Sequence, residues 1–338
     1  MTKRVIIIGA GVAGMTAAEA LTGMGFMVSL VDRDTQPGGH VRQWDRLFPS
    51  RRKSDEVISF LENKLTGVET FYRSGVTGIR KNGEFVVTLG DQNEIRGDAI
   101  LLATGYDLFD AFKKEEYGYG IYDRVITSAE LEKIFRSGEK PQFGDAPPRR
   151  VAFVHCVGSR DEKAGNLYCS KVCCVTGVKQ AIEIKEMFPE TEVFNFYMDL
   201  RMFDRHFEEM YYEAQRDYGI SFIRGRVSEC AENPDGSIVV KVEDTLTARP
   251  LKITVDLLVL LVGMVPSVGT ASLAERLGIE LGDDRFALPA DEHTLANSTP
   301  AEGVFLAGAV KGPACIATTI ADGRAAALQI AAYLNQRC

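Results

Sequence analysis

The fold of this 338-residue chain is decided by the stretch VIIIGAGVAGM at residues 5–15. Its β-branched start is typical of a strand buried on both faces, and a G-x-G-x-x-G pattern follows at once. A helix is predicted over 15–24, and a second strand over 26–31 that closes at Asp32. The sequence therefore predicts a complete βαβ unit of the dinucleotide-binding type.

Each glycine of this pattern has a separate physical role. Gly9 permits the tight turn, Gly11 lets the backbone approach a pyrophosphate, and Gly14 allows close packing of helix on sheet. The helix N-terminus offers amides and a partial positive charge to the phosphates, and Asp32 can accept from ribose hydroxyls. An empty turn of the same shape is the alternative interpretation.

Three later stretches indicate that the dinucleotide is FAD. LLATG at residues 101–105 resembles the strand end of two-dinucleotide flavoproteins, and TPAEGVFLAG at 299–308 resembles the segment under their ribityl chain and isoalloxazine. Gly38-Gly39 lies where these proteins turn toward the FAD phosphate. They usually carry Asp after the last AG, whereas this chain has Ala309, so a hydrogen bond to the ribityl chain is missing or made elsewhere.

The resemblance implies an α/β fold of the thioredoxin-reductase-like, two-dinucleotide-binding-domain class. The expected domains are a discontinuous FAD-binding domain, 1–120 and 265–338, and an inserted Rossmann-like domain, 121–264. Lys311, before a helix that begins near Pro313, either adds positive charge beside the reduced flavin or is a surface lysine. The predicted cofactor-binding residues are Gly9, Gly11, Val12, Ala13, Gly14, Asp32, Arg33, Gly38, Gly39, His40, Val76, Ala103, Thr104, Gly105, Gly308, Ala309, Lys311 and Gly312.

The inserted domain should repeat the strand–glycine–helix pattern, but no second G-x-G-x-x-G occurs between 150 and 265. A strand over 150–155 leads instead into CVGSRDEKAGNLYCSKVCC at 156–174. A helix over 169–187 would place Cys169 and Cys173 on one face, with Cys156 at the adjoining strand end. Nicotinamide binding is therefore expected to be lost or weakened.

Four converging thiolates, those of Cys156, Cys169, Cys173 and Cys174, fit a [4Fe–4S] cluster. Three other interpretations stay open: separate buried thiols, a structural zinc without its usual C-x₂-C pairs, and a redox disulfide without C-x-x-C spacing. His155 is expected to be strand packing rather than a ligand. The other three cysteines are expected to be unrelated to this group; they are Cys230, Cys315 and Cys338.

The arrangement C-x₁₂-C-x₃-C-C on an FAD fold resembles the A subunit of heterodisulfide reductase. That resemblance implies that the four cysteines hold a [4Fe–4S] cluster near FAD, in a homodimeric core that works with other subunits of the complex. The long family members carry further ferredoxin-type motifs, which this chain lacks. It is similar instead to the short versions encoded with sulfur-oxidation systems, so electron bifurcation is doubtful.

Composition narrows the remaining classes. A net charge of −8 argues against nucleic acid as a partner, and no apolar run reaches the 20 residues of a membrane span. The N-terminus lacks a signal-peptide pattern, so a cytoplasmic location is expected. The alternative functions are a stand-alone NAD(P)H-dependent flavin disulfide reductase and a non-catalytic FAD scaffold with structural zinc.

Overall fold

The computed structural model describes residues 3–141 and 146–336, which divide into two units. Unit 1 contains the chain up to Arg42, Ser54–Asp107 and the chain from Val265 onward. Unit 2 contains Gln43–Lys53 and Leu108–Met264. Residues 43–53 and 108–120 thus lie in unit 2, not in the FAD-binding domain to which the sequence analysis assigned them.

Unit 1 is built on a parallel five-stranded sheet with the first strand of the chain at its centre. Apolar side chains pack on both faces of the sheet, which explains the uninterrupted β-branched runs. The order across the sheet is Val304–Leu306, Ala99–Leu102, Arg4–Ile8, Met27–Val31 and Glu69–Phe71.

The remaining elements of unit 1 cover this sheet or extend from it. An antiparallel meander consists of Val76–Asn82, Glu84–Leu89 and Glu94–Gly97. The helices are Val12–Gly23, Ser54–Glu62, Thr270–Leu277 and Ile316–Asn335, with a short 3-10 turn over Gly308–Lys311. The first and last of these helices pack together: a Cβ on Gly323 would lie 2.7 Å from the Ala13 carbonyl oxygen.

Unit 2 repeats this plan around a second parallel sheet. Its central strand, Arg150–Val157, pairs with one strand on either side. The order across the sheet is Val125–Thr127, Leu257–Val262, Arg150–Val157, Glu192–Tyr197 and Ser221–Arg224. The helices are Ser128–Ser137, Cys173–Met187 and Phe207–Arg216, with 3-10 turns at Ala111–Lys113 and Glu115–Tyr117.

Two small sheets complete unit 2. An antiparallel meander consists of Val227–Glu232, Ile238–Asp244 and Arg249–Val255, and a hairpin pairs Arg46–Leu47 with Arg52–Lys53. The chain passes between the units at a 3-10 turn, Gly39–Gln43, and at two short strands, Tyr106–Leu108 and Met264–Pro266. None of the helices within the described residues is long and apolar enough to span a membrane.

Three local predictions are wrong. The stretch 112–150, taken as a crossing between domains, contains the Val125–Thr127 strand and a helix closed by a capping box at Thr127. The apolar run after Ile253 is two strands, because Asp256 interrupts it and accepts from two backbone amides. The helix expected from 169 begins only at Cys173.

Candidate dinucleotide site and cysteine centre

The glycines of the first turn in unit 1 occupy positions that side chains would disturb. Gly9 has φ +109°, and a Cβ there would lie 2.3 Å from the Ala103 carbonyl oxygen. A Cβ on Gly14 would lie 1.9 Å from the Gly9 oxygen, so the first helix can approach the sheet only with glycine here. A Cβ on Gly11 meets no heavy atom within 4 Å, which leaves open space where a pyrophosphate would approach.

Asp32 closes this turn at the end of the second strand. One carboxylate oxygen accepts from the Ala10 amide and the other accepts from Asp34 N at 2.8 Å. Both Asp32 and the glycine turn are therefore fixed by the protein before any ligand binds. The neighbouring Arg33, half exposed, pairs with Asp107 at 3.3 Å and donates to the Val268 carbonyl.

The other predicted cofactor residues surround the same end of the sheet. The Gly38 amide donates to the Ala10 carbonyl at 2.8 Å, and a Cβ on Gly39 would lie 3.5 Å from the Gly11 Cα. A Cβ on Gly308 would lie 2.7 Å from that of Ala13. Val76 starts the meander, Val12 and Ala13 start the first helix, and Ala309 is buried in the 3-10 turn that ends at Gly312.

Thr104 and His40 lie beside the strand end that precedes Gly105. His40 Nε2 is 2.9 Å from the Tyr106 carbonyl oxygen, and the two rings stack with centroids 4.6 Å apart. The Thr104 hydroxyl is buried and has no hydrogen-bond partner among the described residues. A buried hydroxyl of this kind needs a partner, and the glycine turn supplies a cradle, so unit 1 fits a dinucleotide.

Lys311 already has partners within the protein. Its Nζ lies 2.8 Å from Asp322 Oδ1 and 2.7 Å from the Ala296 carbonyl oxygen. Asp322 also accepts from the Gly308 amide at 2.6 Å and from Asn297 at 2.8 Å. The lysine charge is therefore paired and helps to fix the 3-10 turn. Asp322, which sequence reasoning missed, organises this turn; no spacing pattern marked it.

The cysteine segment of unit 2 begins at a β-bulge. The central strand pairs Val154 with Leu260 and Val157 with Val262, so one extra residue is accommodated between them. Cys156, in this bulge, has φ +60°, an uncommon conformation for a side chain other than glycine. Bulges of this kind re-aim a side chain, here at the end of the strand.

Two more residues in the segment, Arg160 and Lys171, have φ +53° and +58°. Such left-handed residues are costly, about 1–3 kcal/mol each, and persist only where surrounding contacts hold them. The segment supplies such contacts: Arg160 N donates to the Tyr168 carbonyl at 2.9 Å, and the Asn166 side chain donates to the Gly158 carbonyl at 2.9 Å. The backbone between Cys156 and Cys169 is thus a closed loop.

Three of the four cysteines are buried, and all four are free thiols. Cys156 Sγ lies 3.9 Å from Cys173 Sγ, and Cys173 and Cys174 form the first turn of their helix. Cys169 is half-buried and lies in the loop before this helix. The prediction that it shares a helix face with Cys173 is wrong, because the left-handed Lys171 prevents the helix from extending back to it.

Backbone amides and neighbouring thiols favour ionised sulfur here. Lys171 N donates to Cys169 Sγ at 3.3 Å, and Arg201 N donates to Cys174 Sγ at 3.4 Å. Hydrogen bonds from Cys173 lower the pKa of Cys156 to about 7 and that of Cys174 to about 4, and the pKa of Cys173 itself is raised. Four thiols with amide donors fit an iron–sulfur cluster, and soft thiolates also suit zinc.

His155 lies against this group. One ring nitrogen and the sulfurs of Cys173 and Cys174 are all within 4.8 Å of one another. The ring is buried, and its Nε2 lies 2.9 Å from the side-chain oxygen of Asn195 on the neighbouring strand. His155 therefore packs within the sheet, as expected, while it also borders the sulfurs.

Buried charges fix both sides of the loop. Asp161 pairs with Lys114 at 2.7 Å, and both side chains are under 5% exposed. Arg160 pairs with Asp199 at 2.7 Å. Sequence reasoning missed all four residues, although Arg160-Asp161 belongs to the CVGSRD stretch and could have been noticed there. Cys230 lies elsewhere in unit 2 and Cys315 in unit 1, and Cys338 lies outside the described residues.

The two sheets and the glycine turn define a two-dinucleotide-binding flavoprotein fold. T. acidophilum thioredoxin reductase has a TM-score of 0.68 at 18% identity, covering 99% of this chain and 100% of that one. Lactococcus lactis thioredoxin reductase also has 0.68, at 21% identity and the same coverage. Residues 3–154 and 173–330 match the pyridine nucleotide-disulphide oxidoreductase family. The chain belongs to this family, and its members support FAD in unit 1.

Curated relatives confirm the resemblance to the A subunits of heterodisulfide reductases. The A subunit of the H(2):CoB-CoM heterodisulfide,ferredoxin reductase from Methanothermobacter thermautotrophicus is 43% identical over 248 residues, covering 71% of this chain and 38% of that protein. A second iron–sulfur A subunit, of the CoB–CoM heterodisulfide reductase from Methanopyrus kandleri, is 33% identical, covering 99% and 65%. This chain therefore spans about two fifths to two thirds of these relatives' length.

Proposed function

We propose that the chain is the iron–sulfur flavoprotein subunit of a heterodisulfide-reductase-like complex and passes electrons between FAD and a [4Fe–4S] cluster. One observation carries this proposal: four free cysteines occupy the strand end and helix start of unit 2 where a second nucleotide loop is expected. The match to the general family omits residues 155–172, the segment that contains two of these cysteines.

The two groups would supply a converter between two-electron and one-electron chemistry. In unit 1, Gly9, Gly11 and Gly14 leave room for the dinucleotide, and Asp32 is aligned for its ribose. In unit 2, the sulfurs of Cys156, Cys169, Cys173 and Cys174 are the ligands. The helix that begins at Cys173 would offset part of the negative charge with its N-terminal amides.

Partners and pathway are inferred from the relatives. The names of these relatives include a heterodisulfide and, in one, ferredoxin; for this chain we propose other subunits that carry thiol or disulfide chemistry, around a homodimeric core. Since the sequence has seven cysteines and lacks ferredoxin-type motifs, it is similar to the short forms, and sulfur oxidation is the proposed setting. Lys311 remains a candidate for tuning the flavin, with its charge shared with Asp322.

Two other functions are less well supported. A stand-alone NAD(P)H-dependent disulfide reductase needs a nicotinamide site and a C-x-x-C dithiol, and the sequence has neither motif in residues 150–265. A scaffold with structural zinc would use the same sulfurs. Iron, sulfide and zinc contents therefore separate these functions directly.

The test compares anaerobically purified wild type with Cys173→Ala. We expect wild type to contain iron and acid-labile sulfide in amounts that match one cluster, and the variant to lose both while FAD stays bound, because alanine offers no ligand and the glycine turn lies in unit 1. Cys230→Ala, the matched control, should keep iron and FAD. Zinc without sulfide in wild type, or no metal after reconstitution, would contradict the proposal.

A further inference from the structure

Arg160 has a feature that the proposed function does not use. It lies in the closed loop between Cys156 and Cys169 with φ +53°, and its amide donates to the Tyr168 carbonyl at 2.9 Å. Arginine adopts this left-handed conformation rarely, so the loop contacts that hold it also determine where its side chain starts.

The guanidinium is held by Asp199. Arg160 Nη2 donates to Asp199 Oδ2 at 2.7 Å, while Arg224 Nη2 donates to Oδ1 at 3.2 Å. The backbone of the same aspartate reaches the cysteines, since its carbonyl oxygen accepts from Cys174 Sγ at 3.6 Å. Arg160 is therefore oriented by a residue that also contacts a proposed ligand.

One donor of Arg160 has no acceptor. Nη1 is buried and has no hydrogen-bond partner among residues 3–141 and 146–336. Leaving a buried charged donor unpaired is costly. The hydrogen bond from Asp199 raises the pKa of the guanidinium, and the charges of Cys156 and Cys169 act in the same direction. The unpaired donor thus lies in the electrostatic field of two of the four sulfurs.

We propose that Arg160 is a positioning residue that sets the reduction potential of the cysteine-bound cluster. The inference rests on the proposed function, because it requires that cluster. A cluster held by four thiolates gains negative charge on reduction, and net charge and hydrogen bonds to sulfur set its potential. A fixed, partly buried guanidinium favours the reduced state. Arginine cannot lose its charge at accessible pH, so the effect does not depend on titration.

The experiment compares Arg160→Gln with Arg224→Gln as matched control. Both variants remove one of the two arginines on Asp199, but Arg224 is half exposed, and the charges acting on Arg160 include two cysteines. We expect both to keep iron and sulfide at wild-type levels. In an EPR-monitored titration, Arg160→Gln should shift the potential negative by at least a tenfold change in the reduction equilibrium, about 59 mV for one electron.

The outcomes are distinguishable. An unchanged potential in Arg160→Gln, or an equal shift in both variants, overturns the inference. If Arg160→Gln loses its iron, Arg160→Lys decides: iron retained with a potential near wild type supports the role of the charge, and iron lost again assigns Arg160 a structural role only. Absence of iron and sulfide from wild type contradicts the proposed function instead.

Discussion

Gly11 separates ligand binding from folding in unit 1. Its φ is −71°, and a Cβ there meets no heavy atom within 4 Å, so Gly11→Val should fold normally. The side chain would, however, fill the space through which a pyrophosphate approaches the helix N-terminus. We expect most of the bound FAD to be lost, measured by flavin absorbance per chain after gel filtration.

The matched control for this change is Gly23→Val, at the other end of the same helix, where a Cβ is equally unhindered. It should retain flavin fully. Gly14 is unsuitable as a test, because its Cβ would collide with the Gly9 carbonyl and alter the fold itself. Full flavin occupancy in Gly11→Val would mean that the dinucleotide binds elsewhere.

Glu183 predicts a pH dependence of the stability of unit 2. It is buried beside Lys179 at 3.1 Å, and burial raises its pKa from 4.5 to about 7. The folded state therefore holds a proton that the unfolded state releases, so stability falls as pH rises from about 4.5 to about 7. Glu183→Gln should flatten this dependence, measured as the Tm between pH 5 and pH 8.

The control for this measurement is Glu208→Gln, on an exposed position of the Phe207–Arg216 helix. Its pH profile should follow wild type. If the slope of Tm against pH in Glu183→Gln equals that of wild type, Glu183 is ionised throughout this range and the assignment is wrong.

Among the elements, the loop between Cys156 and Cys169 depends on Asp161. Asp161 pairs with Lys114 and with Arg226, and accepts from Lys163 N at 3.0 Å. Removing one partner of a buried ion pair leaves an uncompensated charge, so Asp161→Ala should destabilise unit 2 by about 3 kcal/mol in denaturant unfolding. The looser loop should also release iron faster to a chelator.

The sign of the pH effect follows from the carboxyl pKa. Burial raises this pKa, but the hydrogen bond and charge of Lys114 outweigh burial and lower it overall. Its stabilisation is thus present at neutral pH and lost in acid, so wild type and Asp161→Ala should converge there. Asp217→Ala, at an exposed position, should show no loss. A variant as stable as wild type at pH 7 would contradict the role of Asp161.

Patterned elements were predictable from the sequence because local chemistry determines them. The β-branched run before Gly9 and the strand over Glu192–Tyr197 were placed within a residue. The loop around Cys169 was not, because left-handed cysteine, arginine and lysine carry no sequence signal. Only tertiary contacts, such as the Lys114–Asp161 pair across 47 residues, select that backbone.

The transfer of Gln43–Lys53 to unit 2 has a similar cause. These residues connect to unit 2 through buried charges: Asp45 N donates to Glu132 at 3.0 Å, and Lys179 donates to the Arg46 carbonyl at 3.1 Å. Their sequence shows neither helical nor strand periodicity of useful length. A domain boundary determined by contacts so distant in sequence is not visible in composition.

At the scale of the whole molecule, the absence of a second glycine turn predicts weak use of nicotinamide. The strand Arg150–Val157 leads into the cysteine loop, and no G-x-G-x-x-G lies between residues 150 and 265. We expect the protein alone to oxidise NADH or NADPH slowly or not at all, measured by anaerobic flavin bleaching. Rapid bleaching that saturates at low nucleotide concentration would contradict this.

The central claim is that each chain holds one flavin and one iron–sulfur cluster, and counting electrons tests it most directly. FAD accepts two electrons and the cluster one, so anaerobic dithionite titration should end at about three electron equivalents per FAD-containing chain, with an EPR signal from the reduced cluster. About two equivalents without a signal would contradict the claim and favour zinc or free thiols, and about four without a signal would indicate a disulfide.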